Sequence, residues 1–261
     1  MKRPLYLAGA ARSVELDGPG LRILVEGRAD GRVPLRLLSR VVVRGRVAWS
    51  SAALGACFAA GVPLVFLQSD GRPLGYCLPA VQSEERLGTR LDRLEEEPDG
   101  IARFGDWTRA EERRALLACR LLFQGGELLD LRPQRCRALV LSRLDPSPER
   151  AEALWQALEG LLAGHLSELL LAAGLGPRHA APAPPGRLDL FGACLAAGSW
   201  KLVPSLQRLC AHRRAHPEAW REPERRRRRL ARHYEAAAPA VAADLRRRLH
   251  RLELWCQERE R

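Results

Sequence analysis

The spacing of hydrophobic residues changes near residue 80, and this change constrains the fold more than any other feature. Before it, short alternating or β-branched runs are separated by Gly, Pro and Asp turn residues, a pattern typical of strands. After it, apolar residues recur at intervals of three and four, as they do on helices. The sequence therefore predicts an α+β protein, with a small β-rich domain over residues 1–80 and a larger all-α domain over residues 81–261.

The N-terminal domain is predicted to contain a series of strands interrupted by one helix. Ser50 and Ser51 can cap a helix over Ala52–Ala60 that stops at Gly61. The tripeptide Ser69-Asp70-Gly71 is typical of a hairpin turn. Strands are expected at Pro4–Leu7, Ser13–Leu16, Leu21–Glu26, Arg40–Val43, Val47–Trp49, Pro63–Leu67 and Arg72–Leu78.

The C-terminal domain is predicted to be helical almost throughout. Leu87, Leu91 and Leu94 recur at helical spacing, and Thr108 with Glu111 forms a capping-box pattern before a helix over Arg109–Phe123. Further helices are expected at Pro133–Leu144, Ser147–Ala173, Leu188–Ala197, Pro204–Arg214, Pro223–Ala238 and Val241–Glu258. Clusters of Pro and Gly separate these helices.

The charge balance restricts the partners of the chain. It has 43 Lys and Arg against 31 Asp and Glu, which gives a formal net charge of +12 and a pI near 10.3. A basic surplus of this size indicates a polyanionic partner, most often nucleic acid.

Other features of composition exclude whole classes of protein. The apolar runs are far shorter than the roughly 18 residues that would indicate a membrane-spanning helix, so no membrane association is expected. The start of the chain leads into a short apolar stretch broken at Arg12, with no signal-peptide core, so we expect a cytoplasmic protein. The seven cysteines are odd in number and include no C-x-x-C pair, which favours free thiols over disulfides or a zinc site.

One segment carries a family resemblance. From Val33 to Tyr76 the chain reads VPLRLLSRVVVRGRVAWSSAALGACFAAGVPLVFLQSDGRPLGY, with Pro34, an apolar strand, Gly45, a Ser-capped helix and a Gly-initiated strand in that order. In this order the segment Leu5–Leu78 resembles the N-terminal domain of the CRISPR-associated integrase, the large subunit of the CRISPR spacer-acquisition complex. The resemblance implies a DNA-binding protein of antiviral defence. It also implies a homodimer formed through the N-terminal region and a small partner subunit with a ferredoxin-like fold.

The resemblance further implies a metal site in the helical domain. In the family, a Glu, a His and another acidic residue hold Mg²⁺ or Mn²⁺ for DNA cleavage and strand transfer. Carboxylates are hard oxygen ligands that suit these ions, and the metal stabilises the attacking and leaving oxygens at phosphorus. The matching positions are Glu159 in EGLLA, His179 after GLGP, and Asp189 in RLDL.

These motifs depart from the family pattern, and each matching residue has a plain structural interpretation. Gly176 replaces an Asp, His179 comes early, and Glu159 matches only if one family helix is deleted. Glu159 could instead be a solvated carboxylate, His179 a surface imidazole and Asp189 a helix cap. Two states stay open: an inactive member with a degenerate site and no metal, and an active, divergent endonuclease or integrase that uses Mg²⁺ or Mn²⁺.

Arginines concentrate in the predicted C-terminal helices. Five consecutive arginines cannot share one side of a helix, so some must be exposed, and phosphate contact is their natural use. In the family, an Arg-rich helix leads to a Tyr at this place, which is Tyr234 here. A role in solubility, or binding of RNA rather than DNA, is the alternative. The predicted DNA-binding residues are Arg213, Arg214, Arg225, Arg226, Arg227, Arg228, Arg229, Arg246, Arg247 and Arg248.

Overall fold

The computed structural model describes residues 2–8, 11–27, 29–80, 86–120 and 132–259. Within these ranges the predicted α+β class is confirmed, because strands and one α-helix are followed by a helical region. The strands are β1 (Arg3–Ala8), β2 (Ala11–Asp17), β3 (Gly20–Val25), β4 (Gly31–Pro34), β5 (Leu38–Arg44), β6 (Ala48–Trp49), β7 (Leu64–Leu67) and β8 (Pro73–Cys77). Helix α1 (Ser51–Ala59) lies between β6 and β7, and the Ser50 side chain caps it as predicted.

The strands form two sheets of four strands each. In the first sheet the order is β1-β5-β7-β8, with β1, β5 and β7 parallel and β8 antiparallel to β7. The second sheet has the order β4-β3-β2-β6, and its edge strand β4 was not predicted. Strand β5 is buried on both faces: Val41 and Val43 pack with α1, whereas Val42 packs with the helical region.

Seven α-helices follow within the described residues. They are α2 (Arg86–Glu96), α3 (Gly100–Arg120), α4 (Pro133–Leu144), α5 (Pro148–Ala172), α6 (Leu190–Ser199), α7 (Val203–Ala215) and α8 (Pro223–Arg259). The predicted leucine stripe is confirmed, because Leu87, Leu91 and Leu94 are all buried on α2. The Trp155 ring of α5 is also buried, and it meets the Trp200 ring edge-on at a centroid distance of 5.3 Å.

Two predictions about helix ends are wrong. Thr108 does not cap a helix, because α3 begins eight residues earlier at Gly100 and the Thr108 hydroxyl donates to the Phe104 carbonyl at 2.9 Å within the helix. The predicted end at Phe123 lies outside the described residues. The two helices predicted on either side of Pro239 are one, α8. The proline ring lies on the exposed side, while Ala238 and Val241 continue the buried face, so packing outweighs one lost backbone hydrogen bond.

Helix α5 joins the helical region to the first sheet through small residues. A Cβ atom on Gly164 would lie 3.2 Å from the Val42 side chain, and one on Gly160 would lie 1.9 Å from the carbonyl oxygen of Gly71. Gly71 itself needs its left-handed φ of 101° for the β7–β8 turn. Because the helix backbone touches the sheet at these glycines, the two predicted domains share a continuous hydrophobic core.

Two further expectations concern membrane-spanning helices and the state of the cysteines. Among the described helices, none has a stretch long and apolar enough to cross a membrane. All seven cysteines are free, as predicted, and all but Cys77 are buried.

Candidate metal centre and nucleic-acid interface

Glu159 lies on α5 and is held by an arginine of the neighbouring helix. Arg137 of α4 donates to Glu159 Oε1 at 2.8 Å. It also donates to Glu152, two helical turns earlier on α5, at 2.8 Å. The indole N–H of Trp155 donates to the same Glu159 oxygen at 2.7 Å, and the Arg137 guanidinium lies 4.6 Å from the Trp155 ring centroid. Burial opposes the charge of Arg137, but the two carboxylates raise its pKa. The charge of Glu159 is therefore already compensated.

His179 is buried, so the alternative interpretation of this residue as a surface imidazole is wrong. Only 4% of the residue is exposed, and its Nε2 atom lies 3.3 Å from the Asp92 carboxylate of α2. Burial lowers the pKa of His179, and Asp92 partly offsets this effect. The same carboxylate accepts from Arg178 at 2.7 Å, and Glu95 pairs with Arg178 and Arg187. Two arginines thus neutralise the acidic groups next to His179.

Asp189 caps α6, as the alternative to a metal ligand predicted. Its Oδ1 atom accepts from the backbone N–H of Gly192 at 2.8 Å and of Ala183 at 3.3 Å. A Cβ atom at position 192 would lie 2.1 Å from Asp189 Oδ2, so glycine makes room for the cap. Burial and then the charge of Asp189 raise the pKa of Tyr76, whose ring meets Phe191 edge-on at 5.3 Å. The carboxylate is used to begin a helix.

The three residues predicted to hold a metal do not share a ligand set. Each contacts a different local partner, and no group of three His, Cys, Asp or Glu side chains with metal-binding geometry occurs within the described ranges. A Mg²⁺ or Mn²⁺ ion at Glu159 would have to displace the Arg137 guanidinium, and one at Asp189 would have to compete with two backbone N–H donors. As placed, these residues do not fit a divalent ion, and their assignment as ligands stays a prediction.

The sequence did not predict a buried polar network around Arg40. Arg40 of β5 is 2% exposed, and it pairs with Glu168 of α5 at 2.6 Å and Glu235 of α8 at 2.5 Å. The Tyr6 hydroxyl of β1 accepts from Arg40 at 3.2 Å and donates to Glu235. Nothing in the local sequence reveals these contacts, because the glutamates are 128 and 195 residues away from Arg40. The network ties the first sheet to two helices.

A buried histidine lies beside this network. His165 of α5 is 6% exposed, and its Nδ1 atom lies 2.9 Å from the Tyr234 hydroxyl of α8. Burial and the nearby charge of Arg40 lower the pKa of His165 to about 3. The imidazole is therefore neutral at physiological pH, and its role is to satisfy a buried hydroxyl.

The ten predicted DNA-binding arginines fall into three groups. Five are exposed with guanidiniums that the core does not hold: Arg225, Arg226, Arg228, Arg246 and Arg247. Four are half-buried or anchored, among them Arg214, which donates to the Leu144 carbonyl, and Arg229, which stacks 5.6 Å from the Trp220 ring centroid. Arg248 is the exception to the prediction. It is 3% exposed, pairs with Asp244 and donates to the Ala197 carbonyl at 3.1 Å, so it has no access to a duplex.

Arg213 and Arg214 border a cleft that the sequence did not predict. This arginine cleft is lined by Arg150, Arg213, Arg214 and Arg221 around Trp220, and its volume is about 590 Å³. Asp145 is the acidic residue in its wall, where it accepts from the Ser147 backbone N–H at 2.9 Å. Arg221 is paired with Glu218 at 2.8 Å, which leaves three guanidiniums against Asp145, and the cleft is electropositive.

Comparison with known sequences supports the family resemblance. Residues 5–102 match the family model described as CRISPR associated protein Cas1. The chain is also similar to the CRISPR-associated endonuclease Cas1 2 of Rhodospirillum rubrum, with 28% identity over 123 residues. That match covers 47% of this chain and 36% of the relative, so it spans only about a third of the relative's length. The resemblance stated from the sequence is confirmed.

Comparison with solved structures extends the similarity to the helical region. A Cas1 protein from Thermotoga maritima superposes with a TM-score of 0.77 over 96% of this chain and 97% of that one, at 14% identity. A casposase bound to integration product superposes with a TM-score of 0.70 over 97% of this chain and 90% of that one, at 11% identity. At such low identity these likenesses establish the fold.

Proposed function

Because this chain has the fold of Cas1 proteins and matches their family model over its N-terminal part, we propose that it is an integrase-like DNA-binding protein of CRISPR adaptation. The observation that carries the proposal is the agreement of fold along nearly the whole chain with a protein of that family. In this role it would act in spacer acquisition and antiviral defence. RNA binding is the competing function for the same basic surface.

The proposed DNA-binding surface is the exposed face of α8 together with the arginine cleft. Its exposed members are Arg225 and Arg226 near the start of α8 and Arg246 and Arg247 further along. Duplex DNA carries a dense phosphate charge, and each phosphate neutralised by a cation releases condensed counterions. Arginine suits this use, since its planar fork of donors matches phosphate oxygens. We leave Arg248 out, because it is buried against Asp244.

Salt-dependent binding tests the surface. We expect affinity for branched DNA to fall steeply with salt, and the double variant Arg225→Gln/Arg226→Gln to lower the log–log slope by about 1.8, or about 0.9 per lost contact. The matched control is Arg36→Gln/Arg46→Gln, which removes the same charge from exposed positions of the N-terminal region. Fluorescence anisotropy on DNA and on RNA of the same length measures both slopes. An equal slope for the two variants, or tighter binding to RNA, would contradict the proposal.

For catalysis we propose that the metal site is degenerate. Support comes from Glu159, whose carboxylate is paired with Arg137, and from Asp189, whose carboxylate caps α6. If the alternative active state exists, Glu159, His179 and Asp189 would have to leave these partners to hold Mg²⁺ or Mn²⁺, which would supply electrostatic stabilisation at phosphorus.

A cleavage assay decides between the two states. We expect little or no cleavage or strand transfer on branched DNA with Mg²⁺ or Mn²⁺. Robust activity that Glu159→Ala and Asp189→Ala together abolish would establish the active enzyme. Activity that survives both substitutions would contradict the assignment of these residues to any metal site.

We further propose that the chain forms a homodimer through its N-terminal region and associates with a small adaptation subunit of ferredoxin-like fold. Both proposals rest on the family resemblance. Light scattering on the purified chain measures the first, and we expect about twice the monomer mass of 29.0 kDa. Co-expression and co-purification with a small adaptation subunit of ferredoxin-like fold tests the second.

A further inference from the structure

A pocket lies where the three parallel strands of the first sheet end. Its volume is about 280 Å³, and it lies at the carboxyl ends of β1, β5 and β7, enclosed by α5 and the start of α8. The walls are largely apolar and include Leu7, Val42, Leu67, Leu161 and Ala231. The carboxyl ends of parallel strands are where open α/β sheets most often bind ligands. We call this the strand-end pocket.

Arginines surround the mouth of the strand-end pocket. Arg44, at the end of β5, donates to the Ser69 carbonyl at 3.1 Å, and Arg227 lines the pocket from α8. Glu224 and Arg228 also line the pocket, and they are paired with each other. Asp70 lies near Arg44 but is already paired with Arg72 at 2.7 Å. The mouth therefore has more cationic groups than carboxylates to balance them.

The charges at the mouth repel one another. Burial, then Arg226 and Arg227, lower the pKa of Arg44. Within the described residues, neither Arg226 nor Arg227 forms an ion pair with a carboxylate, and the Nε atom of Arg227 is buried without a hydrogen-bond partner. A buried donor left unmatched beside like charges costs free energy, which a bound anion would offset. The start of α8 adds the positive end of a 37-residue helix.

We propose that the strand-end pocket binds a nucleoside monophosphate unit, with the base among the apolar side chains and the phosphate between Arg44 and Arg227. The pocket is close to the lower end of the size range of ligand sites, which suits one small planar group. The unit could be a free mononucleotide or the unpaired terminal nucleotide of a DNA strand. The second source rests on the proposed function, and it is favoured because exposed arginines continue along α8 from the pocket mouth.

Filling the pocket without changing its charge tests the proposal. Ala231→Trp places an indole in the pocket, and Ala236→Trp, at an exposed position on the same helix, is the matched control. We expect Ala231→Trp to weaken binding of deoxyadenosine monophosphate, measured by calorimetry on the full chain, about tenfold or more, and Ala236→Trp to leave it unchanged. Arg44→Gln keeps the pocket open and should weaken binding similarly through the phosphate. Circular dichroism checks that each variant is folded.

Oligonucleotides separate the two sources. A duplex with a single-stranded end carrying terminal 2-aminopurine should bind more tightly than a blunt duplex, and only Ala231→Trp should remove that preference while leaving the salt slope intact. Binding of the mononucleotide without any preference for unpaired ends would assign the pocket to free nucleotides. If the chain binds DNA but neither probe responds to Ala231→Trp, the pocket proposal is overturned and the proposed function stands. If the chain binds the mononucleotide but not DNA, the pocket proposal stands and the proposed function is overturned. Binding of decanoate, with no binding of the nucleotide, would overturn the nucleotide assignment.

Discussion

Two clusters on α5 pair one arginine with two glutamates, and they differ mainly in the exposure of the arginine. At one end, Arg137 holds Glu152 and Glu159, and its side chain is 28% exposed. Two turns further on, Arg40 holds Glu168 and Glu235, and its side chain is 3% exposed. The same chemical groups therefore have different consequences. A partly exposed arginine can exchange its partners with water or ligands, whereas a buried one fixes the arrangement of the elements that supply its partners.

Removing Arg40 gives the largest expected effect, and removing Arg137 is the comparison. Arg40→Met removes a guanidinium that is 3% exposed and bonds Glu168, Glu235 and the Tyr6 hydroxyl, and it should lower the free energy of unfolding by about 3 kcal/mol. Arg137→Met should cost about 1 kcal/mol, since the Arg137 side chain is already 28% exposed to water. Urea unfolding followed by circular dichroism measures both. Equal losses in the two variants would break the comparison.

Arg137→Met also tests Glu159 as a metal ligand, because it frees that carboxylate from its guanidinium. Spin resonance of added Mn²⁺ would detect new binding, and Arg137→Met/Glu159→Gln is the control. Binding that appears in the single variant and disappears in the double would revive the metal assignment.

The second effect is steric and lies on α5 between the two clusters. Gly160→Ala would place a Cβ atom 1.9 Å from the Gly71 carbonyl oxygen, so the helix or the β7–β8 turn must move. We expect a loss of about 3 kcal/mol, the upper end of the range for overpacking. Gly55→Ala on α1 is the control, because nothing lies within 4 Å of its Cβ position, and there alanine should be neutral or stabilising. Thermal unfolding of both variants is the measurement. A stable Gly160→Ala protein would mean that the sheet and α5 do not touch here.

Local features of this fold could be predicted from the sequence, whereas contacts between distant segments could not. Strand and helix positions followed from local periodicity, and Asp189 was recognised as a possible cap because its partner lies three residues on. The Arg40 cluster depends on residues brought together only by the fold. For His179 a surface imidazole was the alternative to a metal ligand, because its loop is rich in Pro and Ala, yet α2 covers it.

The third effect is a dependence of stability on pH, from the histidine next to the Arg40 cluster. His165 has a pKa of about 3 in the folded chain, against an ordinary value near 6.5, so below pH 6.5 the unfolded chain binds the extra proton and the folded chain does not. Stability should therefore fall as pH falls, by about 2 kcal/mol between pH 8 and pH 5 from this group.

The buried His179 acts in the same direction, so the informative quantity is the difference between the chain and a His165→Gln variant, which keeps a hydrogen-bonding group near Tyr234. We expect the pH dependence to be shallower in His165→Gln and unchanged in His250→Gln, an exposed control. Parallel curves for the chain and His165→Gln would show that water reaches the imidazole.

The smallest expected effect concerns Asp189, the best-matched of the three predicted metal ligands. As a helix cap it contributes about 1 kcal/mol, so Asp189→Ala should lower the free energy of unfolding by that amount, whereas Asp189→Asn should restore most of it because an amide oxygen also accepts from the Gly192 N–H. A metal ligand would respond differently, since the neutral amide removes the charge that attracts the ion. Comparing the unfolding of the unmodified chain and the two variants with and without about 10 mM Mg²⁺ separates the roles, because an ion that binds the folded chain stabilises it. If Mg²⁺ stabilises the unmodified chain but not Asp189→Asn, the carboxylate binds metal. If the ion changes nothing in any of the three proteins, Asp189 belongs with the buried Arg40 cluster as a charge used to hold the fold.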